Sequence, residues 1–305
     1  MARSPLVSIA ARLVWWKPGQ RPPLLASIVL FRWRCRGACD TRGVDEEQLT
    51  GGIANAGRVT RLGPHVLRPS NPHSRLIHRF LASLRGAGFD GAPIPVGIDT
   101  DGRERLVFIE GDVAVPPFPA WAQRDTALAS VATLMRRFLE ASHSFDPTGS
   151  TWSPEMADPA GGSIVCHNDV CLENVVFRDG VAVGLLDFDF AAPGRPIYDL
   201  TQFARMCVPI DDDVNAARNG WEPADRPARL RLVADVYGLD APSRQSLLKI
   251  LGVSIARGGE FVRRRVDAGD PNFLKMWNDM GGNERFDRRR RWWEEHQDEF
   301  VRAVN

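Results

Sequence analysis

Two apolar runs in the middle of the chain each end on side chains that carry oxygen. Ile164 to Cys166 leads into His167, Asn168 and Asp169 and on to Asn174; Val181 to Leu186 leads into Asp187, Phe188 and Asp189. A core avoids such groups and a solvated loop scatters them, so their gathering at strand ends points to a working site. Asn174 to Arg178 and Val181 to Leu186 are β-rich and separated by Asp179-Gly180, a two-residue hairpin signal. A hairpin brings its outer ends together, which sets Asn174 beside Asp187 with Asp169 just upstream. Asn174 and Asp169 lie 13 and 18 positions before Asp187. Three hard oxygen donors that leave positions open suit Mg²⁺, which keeps waters and completes its shell from phosphate.

The flanking segments supply the scaffold. "QLTGGIANAGRVTRLGPHVLRPS" reads as two antiparallel strands with a Gly-rich loop before or between them. "HSRLIHRFLASLRGAG" places Leu76, Ile77, Phe80, Leu81 and Leu84 at helical spacing and closes on glycine. "IPVGID" and "RLVFIEGDV" read as two more strands, so residues 44–112 are expected to form a small sheet with one helix. A proline-rich stretch, Val113 to Trp121, leads into an amphipathic helix over 126–142. Helical stretches are expected near 197–207, 225–238, 243–266 and 283–304. The last carries Phe286, Trp293 and Phe300 at seven-residue intervals, and its "FDRRRRWW" run reads as a solvated face with i,i+4 ion pairs. The expected fold class is α+β and two-lobed: a small antiparallel β-sheet lobe over 44–112 and a mostly helical lobe over 113–305.

The 305 residues, 44% hydrophobic and 25% charged, suffice for a core without disulfides or metals. Five cysteines without framework spacing point to a reducing, cytoplasmic setting. The net charge of +1 hides an asymmetry. Residues 1–43 hold eight basic residues and one acidic, and are expected to be a poorly ordered basic extension; the rest holds 31 basic and 37 acidic. That acidic body gives no reason to expect a nucleic-acid partner. The apolar run Leu24 to Phe31 has eight residues, whereas a membrane span needs about 20, so no membrane partner is expected.

His167, Asp169 and Asn174 in an H-x-D-x-x-x-x-N arrangement, followed by D-F-D at Asp187 to Asp189, resemble the aminoglycoside phosphotransferase/choline kinase family, small-molecule relatives of protein kinases. Within it the chain looks closest to bacterial phosphotransferase-like proteins that include the trifolitoxin immunity type. The resemblance implies a protein-kinase-like fold, ATP and Mg²⁺ as cofactors, and a hydroxyl-bearing small molecule as acceptor. It makes Asp169 the catalytic base, Asn174 and Asp187 the Mg²⁺ ligands, and Asp199 the buried acid that anchors the catalytic loop. Asp189 then touches a second metal or braces the loop, and His167 braces the loop. Gly51 and Gly52 stand where the family covers the nucleotide phosphates, and "FIEG", with Ile109 and Glu110, where its hinge meets adenine. These roles fit phosphoryl transfer, which asks a protein mainly for positioning and charge neutralisation.

One departure concerns the small lobe. The family places a lysine on the third strand, paired to a helical glutamate, but the three lysines here are Lys17, Lys249 and Lys275. Arg68 is the basic residue at that strand position, and no acid occurs between Pro69 and Phe89 to pair with it. The usual ion-pair switch is therefore expected to be missing, which motivates a rival reading, a kinase-like module that sequesters a peptide or metabolite without turnover; the intact Asp169, Asn174 and Asp187 argue against it. Two other readings fit less well. A zinc site at Cys166, His167 and Cys171 lacks a second ligand pair. A dehalogenase-type phosphatase using Asp187 and Asp189 needs a downstream lysine and an acidic pair, for which Asp211 to Asp213 is a poor candidate. Around the expected acceptor region, Asp211, Asp212, Asp213 and Glu222 mix with Arg257, Arg263, Arg264 and Arg265, so a purely acidic pocket suited to polycationic antibiotics is not expected.

Overall fold

In the computed structural model, which describes residues 46–49, 55 and 57–305, the apolar segments of the first half pair into an antiparallel sheet. Its strands are β1 (Glu47–Gln48), β2 (Thr60–Leu62), β3 (His65–Pro69), β4 (Pro95–Ile98) and β5 (Arg103–Val107), in the order β1-β2-β3-β5-β4. Helix α1 (Ser74–Gly86) crosses from β3 to β4 and buries Leu76, Ile77, Phe80, Leu81 and Leu84, the five positions whose spacing predicts it. The segment from β1 to β2 carries the Gly-rich loop; Gly51 and Gly52 lie outside the described residues, as do positions 1–43.

The chain then passes through Phe108 to Gly111 into the second half. Gly111 has φ 148°, and a Cβ on it would stand 2.4 Å from the Phe177 carbonyl oxygen. Glycine is what permits this close approach. Five strands follow: β6 (Asp112–Val113), β7 (Ile164–Cys166), β8 (Val175–Arg178), β9 (Val181–Leu185) and β10 (Ala192–Gly194). β6, β8 and β9 form one sheet, and β7 pairs with β10. Asp179 and Gly180, with φ 52° and 76°, make the two-residue turn between β8 and β9. The Leu186 N–H donates to the Asn174 carbonyl at 2.8 Å, closing the hairpin's open end.

Seven helices complete this half: α2 (Asp125–Ser142), α3 (Pro196–Cys207), α4 (Asp213–Arg218), α5 (Arg226–Tyr237), α6 (Ala241–Asp267), α7 (Pro271–Met280) and α8 (Gly282–Val304). α2 buries the stripe its periodicity predicts, with Val131, Met135 and Phe138 fully enclosed. Each such side chain contributes about 1.5–3 kcal/mol through burial. Its Ser130 Oγ accepts from the Ala182 N–H at 2.9 Å, tying β9 to the helix. Phe188 packs edge-on against Phe138 and Phe80, with ring centres 5.8 and 6.3 Å away. The D-F-D segment is thereby wedged between α1 and α2. Among the described residues no helix is long and apolar enough to cross a membrane.

The expectation of a solvated face on the arginine run needs correction. Arg290 and Arg291 are exposed, and Arg290 meets Glu294 at 4.0 Å. Arg289, and Arg285 one turn earlier, are buried. They reach Asp211 at 3.7 and 3.1 Å, while Arg288 reaches Asp212 at 3.3 Å. The helix presents these arginines to acids over 70 positions away in sequence, which local charge pattern does not reveal. Asp211 and Asp212 are thus held by arginines, and Asp213 pairs with Arg226 at 2.7 Å.

Candidate active site

The loop from β7 to Asn174 is held rigid from behind. The Asp199 carboxylate, fully buried on α3, accepts from the backbone N–H groups of His167 and Asn168 at 2.8 and 2.7 Å. Burial pushes this carboxyl up to about 6 although both N–H groups favour its charged form. Asn168 adopts φ 67° in the left-handed region, which asparagine tolerates best among side-chain-bearing residues. His167 is also fully buried, and desolvation lowers its pKa to about 4, so the ring is neutral. Its Nε2 lies 2.8 Å from the Leu186 carbonyl, and the Asp169 N–H donates to its Nδ1 at 3.3 Å. Both ring nitrogens are therefore engaged: Nε2–H donates to Leu186 and Nδ1 accepts. His167 joins the two strand ends and has no nitrogen left to shuttle protons.

Asp169 and Asn174 face each other across this loop. Asn174 donates from Nδ2 to both the carbonyl oxygen and Oδ2 of Asp169, at 2.9 and 3.2 Å. Burial pushes the Asp169 carboxyl up to about 8, the negative charge of Asp187 adds to the rise, and the Arg205 guanidinium opposes it. Asp187 ends the second hairpin strand with φ 60°. The fold thus brings together Asp169, Asn174 and Asp187 as the hairpin signal predicts.

Arg68 of β3 reaches this same group from the other sheet. Its Nη1 donates to Asp187 Oδ1 at 3.0 Å and its Nη2 pairs with Asp189. Asp189 also accepts from Asn71 Nδ2 at 2.9 Å. Burial raises the Asp187 carboxyl, but the charge and hydrogen bond of Arg68 outweigh it and hold Asp187 below the usual range. Burial and the charge of Asp187 push Asp189 up to about 6. The stretch from Pro69 to Phe89 indeed holds no acid for Arg68, and its partner comes from a neighbouring strand instead. Strand pairing sets Arg68 opposite Glu104 of β5, with Nε 4.0 Å from Glu104 Oε1. Glu104 in turn accepts from Ser74 Oγ at 2.6 Å and meets His78 Nε2 at 3.0 Å, both on α1. The acid thus stands on a strand, and the helix holds it by a serine and a histidine.

In the hinge segment, the Ile109 side chain packs over Gly184. The Glu110 carbonyl accepts from Arg178 Nε at 2.8 Å, and the Glu110 carboxylate pairs with Arg61 at 2.7 Å. Among the described residues the Ile109 backbone N–H and carbonyl make no backbone hydrogen bond.

The donor set fits Mg²⁺ in kind: an amide oxygen at Asn174 and carboxylates at Asp187 and Asp189 are hard oxygen ligands. Soft-metal chemistry is disfavoured. Cys166 and Cys171 are free, buried, and pushed by burial well above the usual thiol range. Two participants were not singled out from sequence: Glu104 and Asn71. Each acts through a partner at least 30 positions away, outside the reach of local motif reading.

Residues 150–233 match the phosphotransferase enzyme family designated APH. The trifolitoxin immunity protein of Rhizobium leguminosarum bv. trifolii is 36% identical over 206 residues, covering 66% of this chain and 77% of that protein. Among solved structures, a choline/ethanolamine kinase family protein from Mesorhizobium loti superposes with a TM-score of 0.57 at 17% identity, covering 87% of this chain and 94% of that one. An ADP-bound aminoglycoside phosphotransferase gives 0.50 at 12%, covering 87% and 96%. The fold is that of the protein-kinase-like phosphotransferases, and the chain belongs to the phosphotransferase enzyme family, as a homologue of the trifolitoxin immunity protein.

Proposed function

We propose that the protein transfers the terminal phosphoryl group of ATP to a hydroxyl of a small molecule. Residues 44–112 form the nucleotide-side lobe in this reading, and 113–305 carry the catalytic and acceptor-binding groups. The observation that supports it most is the pairing of a half-buried carboxyl at about 8, Asp169, with the amide of Asn174 beside the charge of Asp187. A carboxyl held near neutrality suits a group that receives a proton from an alcohol. Asn174 and Asp187 are the residues that would hold Mg²⁺, with Asp189 adjacent, and the ion would neutralise phosphate oxygens. Arg68 supplies the cation that a lysine carries elsewhere, Ile109 and Glu110 border the adenine edge, and Gly51 and Gly52 belong to the phosphate-covering loop. His167 and Asp199 keep the catalytic loop in shape, and the free, buried thiols suit a reducing, cytoplasmic setting.

Titration calorimetry of ATP with and without Mg²⁺ tests the nucleotide half of this reading. Wild type is expected to bind in the presence of Mg²⁺, and Asp187→Ala to lose at least tenfold in affinity. Equal affinity in the two proteins rejects the assignment of Asp187.

A second reading has its own observation. Arg68 already neutralises Asp187 and Asp189, and the relative at 36% identity is named an immunity protein. A kinase-like module that binds a ligand without turnover fits both facts. It predicts no nucleotide consumption with any acceptor and no Mg²⁺-dependent nucleotide affinity.

A further inference from the structure

The large lobe carries a cluster of positive charge that the site described above does not use. Arg285 and Arg289 of α8 converge on Asp211, and Arg288 pairs with Asp212. Asp212 is further committed, since its carboxylate caps α4 by accepting from the Asn215 N–H at 3.1 Å. Arg205 of α3 joins this cluster without a carboxylate within ion-pair distance among the described residues. Arg288 also meets Glu284 at 3.6 Å, so four guanidiniums face three carboxylates and Arg205 is the one without an acid among the described residues. Arg205 and Arg289 each place a nitrogen 3.4 Å from the point where a Cβ on Gly258 would stand. Two like charges brought this close repel each other, and burial together with Arg289 pulls the Arg205 pKa down to about 10.

Among the described residues, the buried polar atoms without a hydrogen-bond partner in this region are Gln202 Nε2, Arg289 Nε and, on the acid side, Asp212 Oδ2. Arg205 Nε donates to Ser254 Oγ at 3.0 Å and its Nη2 to Gln202 Oε1 at 3.4 Å, but Nη1 has no acceptor among the described residues. Gln202 is 1% exposed, and its Nε2 is buried without a partner; Arg289 Nε is in the same condition. Buried donors left without acceptors are costly, and a ligand oxygen relieves that cost. Arg205 is half-buried rather than sealed, so a ligand can reach it. α3 itself packs against the loop that carries Asp169. Two residues beyond Arg205, Cys207 Sγ lies 3.8 Å from the Val170 carbonyl, and the Arg205 charge is felt at Asp169.

We propose that the acceptor is a small molecule bearing an oxyanion, a carboxylate or a phosphate, which docks on Arg205 while its hydroxyl faces Asp169. This deepens the phosphoryl-transfer reading and rests on it for the word acceptor; the anion site itself does not. Arg205 makes the direct contact, and Arg285 and Arg289 supply the surrounding field. A polycationic acceptor is disfavoured by the same arrangement.

Calorimetric titration at constant ionic strength tests the site with two probes, inorganic phosphate and malonate, which separate phosphate from carboxylate recognition. Wild type is expected to bind at least one of them. Arg205→Gln is expected to weaken that binding at least tenfold, Arg205→Lys to recover part of it, and the exposed control Arg290→Gln to leave it unchanged. Equal affinity in wild type and Arg205→Gln, or no binding of either probe to wild type, overturns the proposal. Kinetics with hydroxy acids, sugar phosphates and uncharged alcohols separate it from the parent reading. An anionic acceptor whose KM rises tenfold in Arg205→Gln while kcat holds supports both. A neutral or cationic acceptor turned over equally well by Arg205→Gln leaves phosphoryl transfer standing and removes the anion site. Probe binding that depends on Arg205, without consumption of ATP by any acceptor, keeps the site and removes phosphoryl transfer.

Discussion

Arg68 donates from Nη1 to Oδ1 of Asp187 across 3.0 Å, joining residues 119 positions apart and linking the small sheet to the end of the β8–β9 hairpin. The Arg68 side chain is 10% exposed, and those of Asp187 and Asp189 are 31% and 23% exposed. The charges are therefore poorly screened, and removing the cation leaves carboxylates facing each other. Arg68→Ala is expected to lose about 3–5 kcal/mol of folding stability, the usual cost of breaking a buried pair. Added Mg²⁺ is expected to restore part of that loss, because the ion replaces the missing positive charge. Urea unfolding with EDTA or with Mg²⁺ checks both statements.

Glu104 is the hub that places Arg68. It is 4% exposed and serves Arg68, Ser74 and His78 together. Burial raises its carboxyl, and the His78 hydrogen bond, the Arg68 charge and the Ser74 bond together bring it below the usual range. Glu104→Ala and His78→Ala are expected to be non-additive, with a coupling of about 0.5–3 kcal/mol, as for residues sharing one polar network. A double-mutant cycle by urea unfolding measures it.

His167 predicts a definite pH dependence. Its pKa is about 4 in the folded protein against an unfolded value of 6.5. The unfolded chain therefore takes up the proton first on acidification. The stability that neutral His167 contributes is present above 6.5 and is lost as the pH falls from 6.5 toward 4. Between pH 7 and pH 5 the expected loss from this residue is about 2 kcal/mol. Denaturant midpoints of wild type and His167→Gln across that range check it; the variant is expected to show a shallower slope.

Much of this was legible in local patterns. The α1 and α2 stripes, the Asp179-Gly180 turn and the run from His167 to Asp189 each rest on residues close in sequence, where periodicity and turn chemistry act directly. What escaped was set by distant pairing. Arg68 meets Glu104 only because β3 lies beside β5, and α8 buries Arg285 and Arg289 only because Asp211 waits across the lobe. Helix α7 is a different kind of omission. Asp270 caps it, Pro271 opens it, and Gly281, with φ 90°, closes it. These signals were present in the sequence, but the helix buries little beyond Phe273, so it lacks the apolar stripe that marks α1.

The most direct test of the central claim is transfer of label from γ-³²P-ATP to a panel of hydroxy acids, sugar phosphates and neutral alcohols, run with wild type and Asp169→Asn. The folded protein keeps the Asp169 proton up to about 8, whereas the unfolded chain releases it near 3.8. Ionising it thus removes stability as the pH rises through this window, and the loss is complete above 8. Asp169→Asn is accordingly expected to melt no lower than wild type at pH 8.5, while its transfer rate falls by about 10²–10⁴. Label moved equally well by a folded Asp169→Asn, or moved to no acceptor by wild type, contradicts the assignment.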